Sequence, residues 1–108
     1  MVSGGAELQN FPSQDEFEGA DHGTSISVIL VDMAPGDGVR LHMHPYAEIF
    51  IVQEGHASYT VGASTIDVVA PRTLIGPANV AHGFVNVGDA RLKQVDIHLS
   101  PTFITVWL

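Results

Sequence analysis

The chain has 108 residues, enough for one domain, and is 45% hydrophobic against 15% charged, which is too apolar for a disordered chain and too short for a two-domain enzyme. Twelve acidic residues against four basic ones give a net charge of −8; Arg40, Arg72, Arg91 and Lys93 form no cluster able to neutralise phosphates, so nucleic acid and anionic membrane surfaces are poor partners. No cysteine is present, which removes disulfides, thiolate metal sites and a cysteine nucleophile, and leaves His, Asp and Glu to hold any metal.

Residues 1–24 are acidic and glycine-rich with little periodicity. They read as an N-terminal arm, with room for a short strand around Leu8 to Phe11. From residue 25 to 108 the texture becomes β-branched runs cut by Gly, Pro, Asn and Asp, the pattern of an all-β domain. The expected strands are Ser25–Met33, Val39–Met43, Glu48–Gln53, Ala57–Val61, Ser64–Val69, His82–Val87 and Arg91–Leu99. Glu54-Gly55 and Gly88-Asp89 read as hairpin connections. Ile49, Phe50, Ile51 and Val52 in succession predict an interior strand covered on both faces, because a strand with one wet face alternates. The tail from Phe103 to Leu108 is apolar to its end and is expected to dock on the body or on a partner chain. A small domain with this much apolar content is expected to hide some of it in the interface of a homo-oligomer. No apolar run approaches the ~20 residues of a membrane span and no signal-peptide pattern opens the chain, so the expected location is cytoplasmic.

Six histidines are present, and their placement carries the chemistry. His42 and His44 are two apart on an expected strand, so both imidazoles point to one face. Pro45 interrupts that strand, and Glu48 opens the next, very apolar one, where an acid is costly unless neutralised, paired or bound to a cation. His82 begins a later strand and shares a face with Phe84 and Asn86. Three imidazoles and one carboxylate suit a divalent first-row transition metal, and the set does not choose among Fe, Mn, Ni, Cu, Co and Zn. A lone His-x-His pair is more often an ordinary surface feature.

The series Gly36-x5-His42-x-His44-x3-Glu48-x6-Gly55 resembles the first motif of the cupin superfamily. Pro77-Ala78-Asn79-x2-His82-x3-Asn86 resembles the second, with Pro71 at its leading glycine position and Asn79 at the glycine after the proline. Asn is the non-glycine residue most tolerant of left-handed backbone, so that turn can survive. The resemblance implies a small single-domain cupin: a double-stranded β-helix, or jelly-roll barrel, of two antiparallel sheets. It further implies one divalent metal on His42, His44, Glu48 and His82, and a dimer.

Phe50, Val52, Phe84 and Ile75 would line the cavity, which would then suit an apolar or aromatic substrate; otherwise they are simply core. Tyr46 either hydrogen-bonds a bound ligand or packs on Pro45, with packing the favoured reading. Gln94, Asp96 and His98 alternate with Val95, Ile97 and Leu99. Ordinary amphipathic alternation turns the polar set to solvent; if it faces inward, His98 and Asp96 can support the metal or act as a base. Tyr46 and His98 are thus the catalytic candidates, and His22 and His56 are read as solvated. The scarcity of inward basic residues disfavours anionic sugars. The expected function is metal-dependent binding of a small organic substrate, with oxygenase chemistry or Lewis-acid isomerisation, cyclisation or elimination to follow. The alternative is a non-catalytic small-molecule-binding protein with a structural metal.

Overall fold

A strand with apolar residues at every second position can bury one face only, so such strands pair into sheets and the sheets pair face to face. The computed structural model describes residues 15–108 and shows this arrangement. In chain order the elements are β1 (Glu16–Phe17), a 3-10 turn (Gly19–His22), β2 (Ser27–Met33), β3 (Gly38–Met43), β4 (Glu48–Glu54), β5 (His56–Val61), β6 (Ser64–Val69), β7 (Arg72–Gly76), β8 (His82–Asn86), β9 (Leu92–His98) and β10 (Val106–Trp107). Two antiparallel five-stranded sheets result, ordered β1-β2-β9-β4-β7 and β10-β3-β8-β5-β6. Among the described residues no helix is long and apolar enough to cross a membrane.

The expected strands are present with ends displaced by a residue or two; β2, for example, begins at Ser27 rather than Ser25. The strand expected near Leu8 to Phe11 lies outside the described residues. Glu16 and Phe17 pair with Ile29 and Val28, so the chain enters the sheet before residue 25. The two hairpin expectations are corrected. Glu54-Gly55 joins β4 to β5 and Gly88-Asp89 joins β8 to β9, and in both cases the strands belong to different sheets. The hairpin is instead at Gly62-Ala63, where Val61 faces Ser64. Turn-forming residues mark where the chain reverses, but they do not say whether the next strand pairs with the last or crosses to the facing sheet.

The core between the sheets is Phe50, Val52, Ala57, Tyr59, Val68, Phe84 and Leu92. Tyr59 stacks on Phe84 with ring centroids 5.1 Å apart and meets Phe50 edge-on at 5.4 Å. This cluster closes one end of the interior. Toward the other end buried residues turn polar: His42, His44, Glu48, His82, Asp96 and His98. β4 lies between β9 and β7, as an interior strand should. Its inner face carries Glu48, Phe50 and Val52, while Ile49 and Ile51 point outward and are only half-buried.

Asn86 ties β8 to the next strand. Its side-chain amide donates to the Met33 and Ala90 carbonyls at 3.0 and 2.9 Å, and its oxygen accepts from the Gly88 N–H at 3.0 Å. An Asn86→Ala change strands these groups in a buried turn and should destabilise the fold by about 1–3 kcal/mol. Urea unfolding of metal-free protein measures this, and a midpoint equal to wild type would rule out the anchoring role.

Candidate metal centre

Glu48 opens β4 and is buried, and three imidazoles surround its carboxylate. His44 Nε2 is 3.0 Å and His82 Nε2 3.2 Å from Oε1, and His98 Nε2 is 3.2 Å from Oε2. Burial pushes the carboxyl toward its neutral form, but the three imidazoles outweigh it and hold Glu48 well below the usual carboxylate range. His42 joins from β3, with its ring centroid 5.0 Å from that of His44 and 4.4 Å from that of His82. One donor atom from each of His42, His44, Glu48 and His82 lies within 4.8 Å of all the others. These are the residues the two sequence motifs single out.

Local structure explains the convergence. β3 pairs with β8 so that His42 faces His82 directly, and a shift in register between Val39 and His42 turns both of those side chains inward. Glu48 sits opposite both Gly76 and His98 in its sheet. Gly76 keeps that approach open, since a Cβ would stand a tight 3.1 Å from both His82 Nδ1 and the Phe50 ring. Asn79 does adopt a left-handed backbone, with φ of 61°. Its N–H donates to the His44 carbonyl at 2.7 Å, which joins the two motifs.

The outer nitrogens settle which lone pairs face inward. His42 Nδ1 lies 2.8 Å from the Arg40 carbonyl and His44 Nδ1 lies 2.7 Å from the Ile104 carbonyl. A carbonyl only accepts, so each Nδ1 carries a proton, and Nε2 is the atom turned to Glu48 and, in the neutral ring, the one whose lone pair is available to a metal. Burial lowers the basicity of His42, partly offset by its bond to Arg40. For His44 burial acts the same way, but Glu48 and the Ile104 carbonyl outweigh it and the net shift is upward. His44 Nε2, Glu48 Oε1 and His82 Nε2 are all buried without a hydrogen-bond partner. Close contacts that are not aligned as hydrogen bonds fit donor atoms aimed at one shared point. Orphaned buried groups of this kind are costly unless a cation satisfies them, so the residues present fit a divalent transition metal.

The face carrying Gln94, Asp96 and His98 is turned inward and buried, so the solvent reading is corrected. Both Val95 and Ile97 on the opposite face are half-buried. The interior can accept polar groups because they satisfy one another: Tyr59 Oη donates to Gln94 Oε1, and Gln94 Nε2 donates to Asp96 Oδ1 at 2.8 Å. Burial, reinforced by the Glu48 charge, pushes Asp96 up to about 8. His98 Nδ1 meets Tyr46 Oη at 2.7 Å, and Tyr46 Oη accepts from the Ile104 N–H at 3.2 Å. A carboxylate only accepts, so the chain runs from Tyr46 through a His98 that offers its Nε2 proton to Glu48. The Tyr46 ring stacks on His44 at 5.0 Å.

A cavity of about 300 Å³ borders His42, His44, Glu48, Asp96 and His98. Phe50 and Phe84 line it as expected, whereas Val52 lies within the core and Ile75 is 62% exposed on the outer face. Tyr46 does not line the cavity; it stands behind its wall, bonded to His98 and stacked on His44. His56 is held by Asp67 at 2.6 Å, away from the cluster. The far wall comes from Phe103, Thr105 and Trp107, with Glu16 from β1. The apolar tail signalled this docking, but not that it would form a cavity wall.

The Cupin domain family model matches residues 29–98, and the chain belongs to that family. Over 73 residues it is 38% identical to the polyketide synthase CurC of Streptomyces cyaneus, covering 67% of this chain and 47% of that one. It is 30% identical over 83 residues to mannose-1-phosphate guanylyltransferase 2 of Escherichia coli O157:H7, covering 76% of this chain and 17% of that one. The chain therefore spans about half or less of these curated relatives. Among solved structures, oxalate decarboxylase from Bacillus subtilis superposes with a TM-score of 0.78 at 27% identity, covering 86% of this chain and 26% of that one.

The Asp96 environment sets a pH dependence. Between the ordinary Asp value near 4 and its folded value of about 8, the folded state keeps a proton that the unfolded state has lost, so stability falls as pH rises through that window. The contribution of Glu48, whose folded value is depressed, is already complete above roughly pH 4.3 and adds no slope there. Asp96→Asn in metal-free protein should flatten this decline, as read from urea midpoints at pH 5, 6.5 and 8; parallel wild-type and variant curves would refute the assignment.

Proposed function

We propose that this chain is a metal-dependent enzyme whose ion is held by His42, His44, Glu48 and His82 and whose substrate is a small organic molecule bound through oxygen atoms in the adjoining cavity. The observation that carries the reading is the convergence of His44 Nε2, Glu48 Oε1 and His82 Nε2, buried and unpartnered, beside an open cavity rather than a filled interior. A divalent transition ion held there supplies Lewis acidity and, where its valence can change, one-electron chemistry. The residues around it have separable tasks. Arg40 and Ile104 carbonyls orient His42 and His44, while Tyr46 and His98 orient Glu48 from its second oxygen. His98 and Asp96 border the cavity outside the metal-holding set, so they are the groups placed to move a substrate proton. Phe50 and Phe84 exclude water from the side facing the core.

Oxygenase chemistry and Lewis-acid isomerisation, cyclisation or elimination are the reactions this donor set supports. Elemental analysis of protein purified without tag or chelator should find close to one transition ion per chain. His82→Ala should lose most of it while keeping the far-UV spectrum, because Gly83 to Asn86 remain paired on both sides; His56→Ala should retain it. Full metal content in His82→Ala would refute the assignment.

We also propose that the chain works as a homodimer through the outer face of the β1-β2-β9-β4-β7 sheet. There the register sets Val28, Ile97, Ile49 and Ile75 in one row and Leu30, Val95 and Ile51 in the next, an apolar face with Leu30 44% and Ile75 62% exposed. A continuous apolar patch on so small a chain is best satisfied by a second copy. Light scattering should return twice the chain mass, falling to the monomer in Ile75→Lys; a monomeric wild-type protein would refute the dimer.

A further inference from the structure

The cavity walls differ sharply in chemistry. One wall is the cluster of imidazoles and carboxyls, and the rest is mainly apolar, built around Phe50, Phe84, Phe103 and Trp107, with Thr105 and Glu16 as its polar members. Phe103 meets His98 edge-on with centroids 4.9 Å apart, and the Trp107 ring lies 4.9 Å from that of His42. Aromatic side chains therefore stand against His42 of the metal-holding set and against His98 beside it. Flat rings gain about 0.5–1.5 kcal/mol from such neighbours beyond the area they bury.

None of the four basic residues reaches this space. Arg40 holds its guanidinium 5.0 Å from the Trp107 ring and lines a surface groove outside the cavity. Arg91 is paired with Asp32, and Lys93 stands 3.8 Å from Glu54. Arg72 opens β7, at the end opposite the Gly76 that faces Glu48. The cavity carries instead the carboxyls of Glu48, Asp96 and Glu16. Buried anions need cationic or multiple hydrogen-bond partners. A divalent ion is already partly offset by Glu48, and no Lys or Arg lines the cavity to offset the second charge of a small dianion.

We infer that the ligand of this site is a flat hydroxy-aromatic or enolised diketone, neutral or singly charged, whose adjacent oxygens face the metal while its ring lies against Phe84, Phe103 and Trp107. The inference rests on the metal reading above and deepens it by naming the substrate class. A cavity of about 300 Å³ admits a ligand of one or two rings and lies at the small end of ligand pockets. Small dicarboxylates, though they bind metals well, are selected against by the missing cations.

Trp107 is the sole tryptophan and lines the cavity, so it reports occupancy directly. The probes are 4-nitrocatechol, an aromatic that is neutral or singly charged near neutral pH, and oxalate, a dianion without a ring. Zinc-loaded protein should bind 4-nitrocatechol at least about tenfold more tightly than oxalate by calorimetry, with quenching of Trp107 emission, and should keep its zinc after each titration. Phe103→Ala should weaken 4-nitrocatechol about five- to tenfold and leave oxalate within about twofold. Zinc-loaded protein that binds oxalate as tightly as 4-nitrocatechol, or neither probe, would overturn the substrate class and leave the metal centre standing. Equal weakening of both probes by Phe103→Ala would overturn the aromatic wall. Failure to hold zinc at all would overturn the metal reading and this inference with it.

Discussion

An ionised carboxylate at 2% exposure is the constraint around which this interior is arranged. Placing such a charge between two sheets costs several kcal/mol unless it is surrounded by groups that favour it. Glu48 is surrounded by His44 and His82 on one oxygen and His98 on the other. Each of these imidazoles is in turn fixed by the strand or segment that supplies it. His44 is tied to Ile104, His98 to Tyr46, and Tyr46 back to Ile104. The C-terminal segment is thus part of the support of the carboxylate, though it donates no side chain to the cluster.

The same constraint divides the interior into an apolar end and a polar end. Phe50 stands at the boundary, meeting Tyr59 on one side and His82 at 5.2 Å on the other. Below it the packing is that of a small β core; above it the buried side chains are mainly titratable, with Ser27 opposite His98. The chain Tyr59–Gln94–Asp96 crosses the boundary on hydrogen bonds. It carries a carboxyl to the edge of the centre in its protonated form. Two acids a short distance apart with opposite tendencies, Glu48 charged and Asp96 neutral, follow from what each faces. Glu48 has three imidazoles, whereas Asp96 has burial, the Glu48 charge and an amide.

Much of the centre was legible in the sequence because its ligands are local. His42, His44 and Glu48 fall within seven residues, where strand periodicity and one proline define their directions, and His82 was marked by its own motif. The inward turn of Gln94, Asp96 and His98 was not legible. An alternating strand has two faces, and only the partner strands β2 and β4 decide which one is inside. Ordinary amphipathic reasoning chose the apolar face, and it failed because here the apolar face of β9 belongs to the exposed side of the sheet. The run Ile49 to Val52 shows the converse: it announced a strand apolar on both faces, yet within one chain the outer face stays only partly covered.

By itself, then, the sequence determined the all-β class, most of the strands, the donor set and the scarcity of basic residues that disfavours anionic sugars. These depend on residue type and on spacing along a strand, both of which are local. The tertiary structure alone decided that the turns at Gly55 and Gly88 change sheets, that β1, β7 and β10 exist, and that Phe103 and Trp107 wall the cavity. It also decided that Tyr46 stands behind the centre, bonded to His98 and stacked on His44. Short strands and tail segments have no order of their own, and they form because an edge with unpaired hydrogen-bonding groups and an apolar rim is already there to receive them.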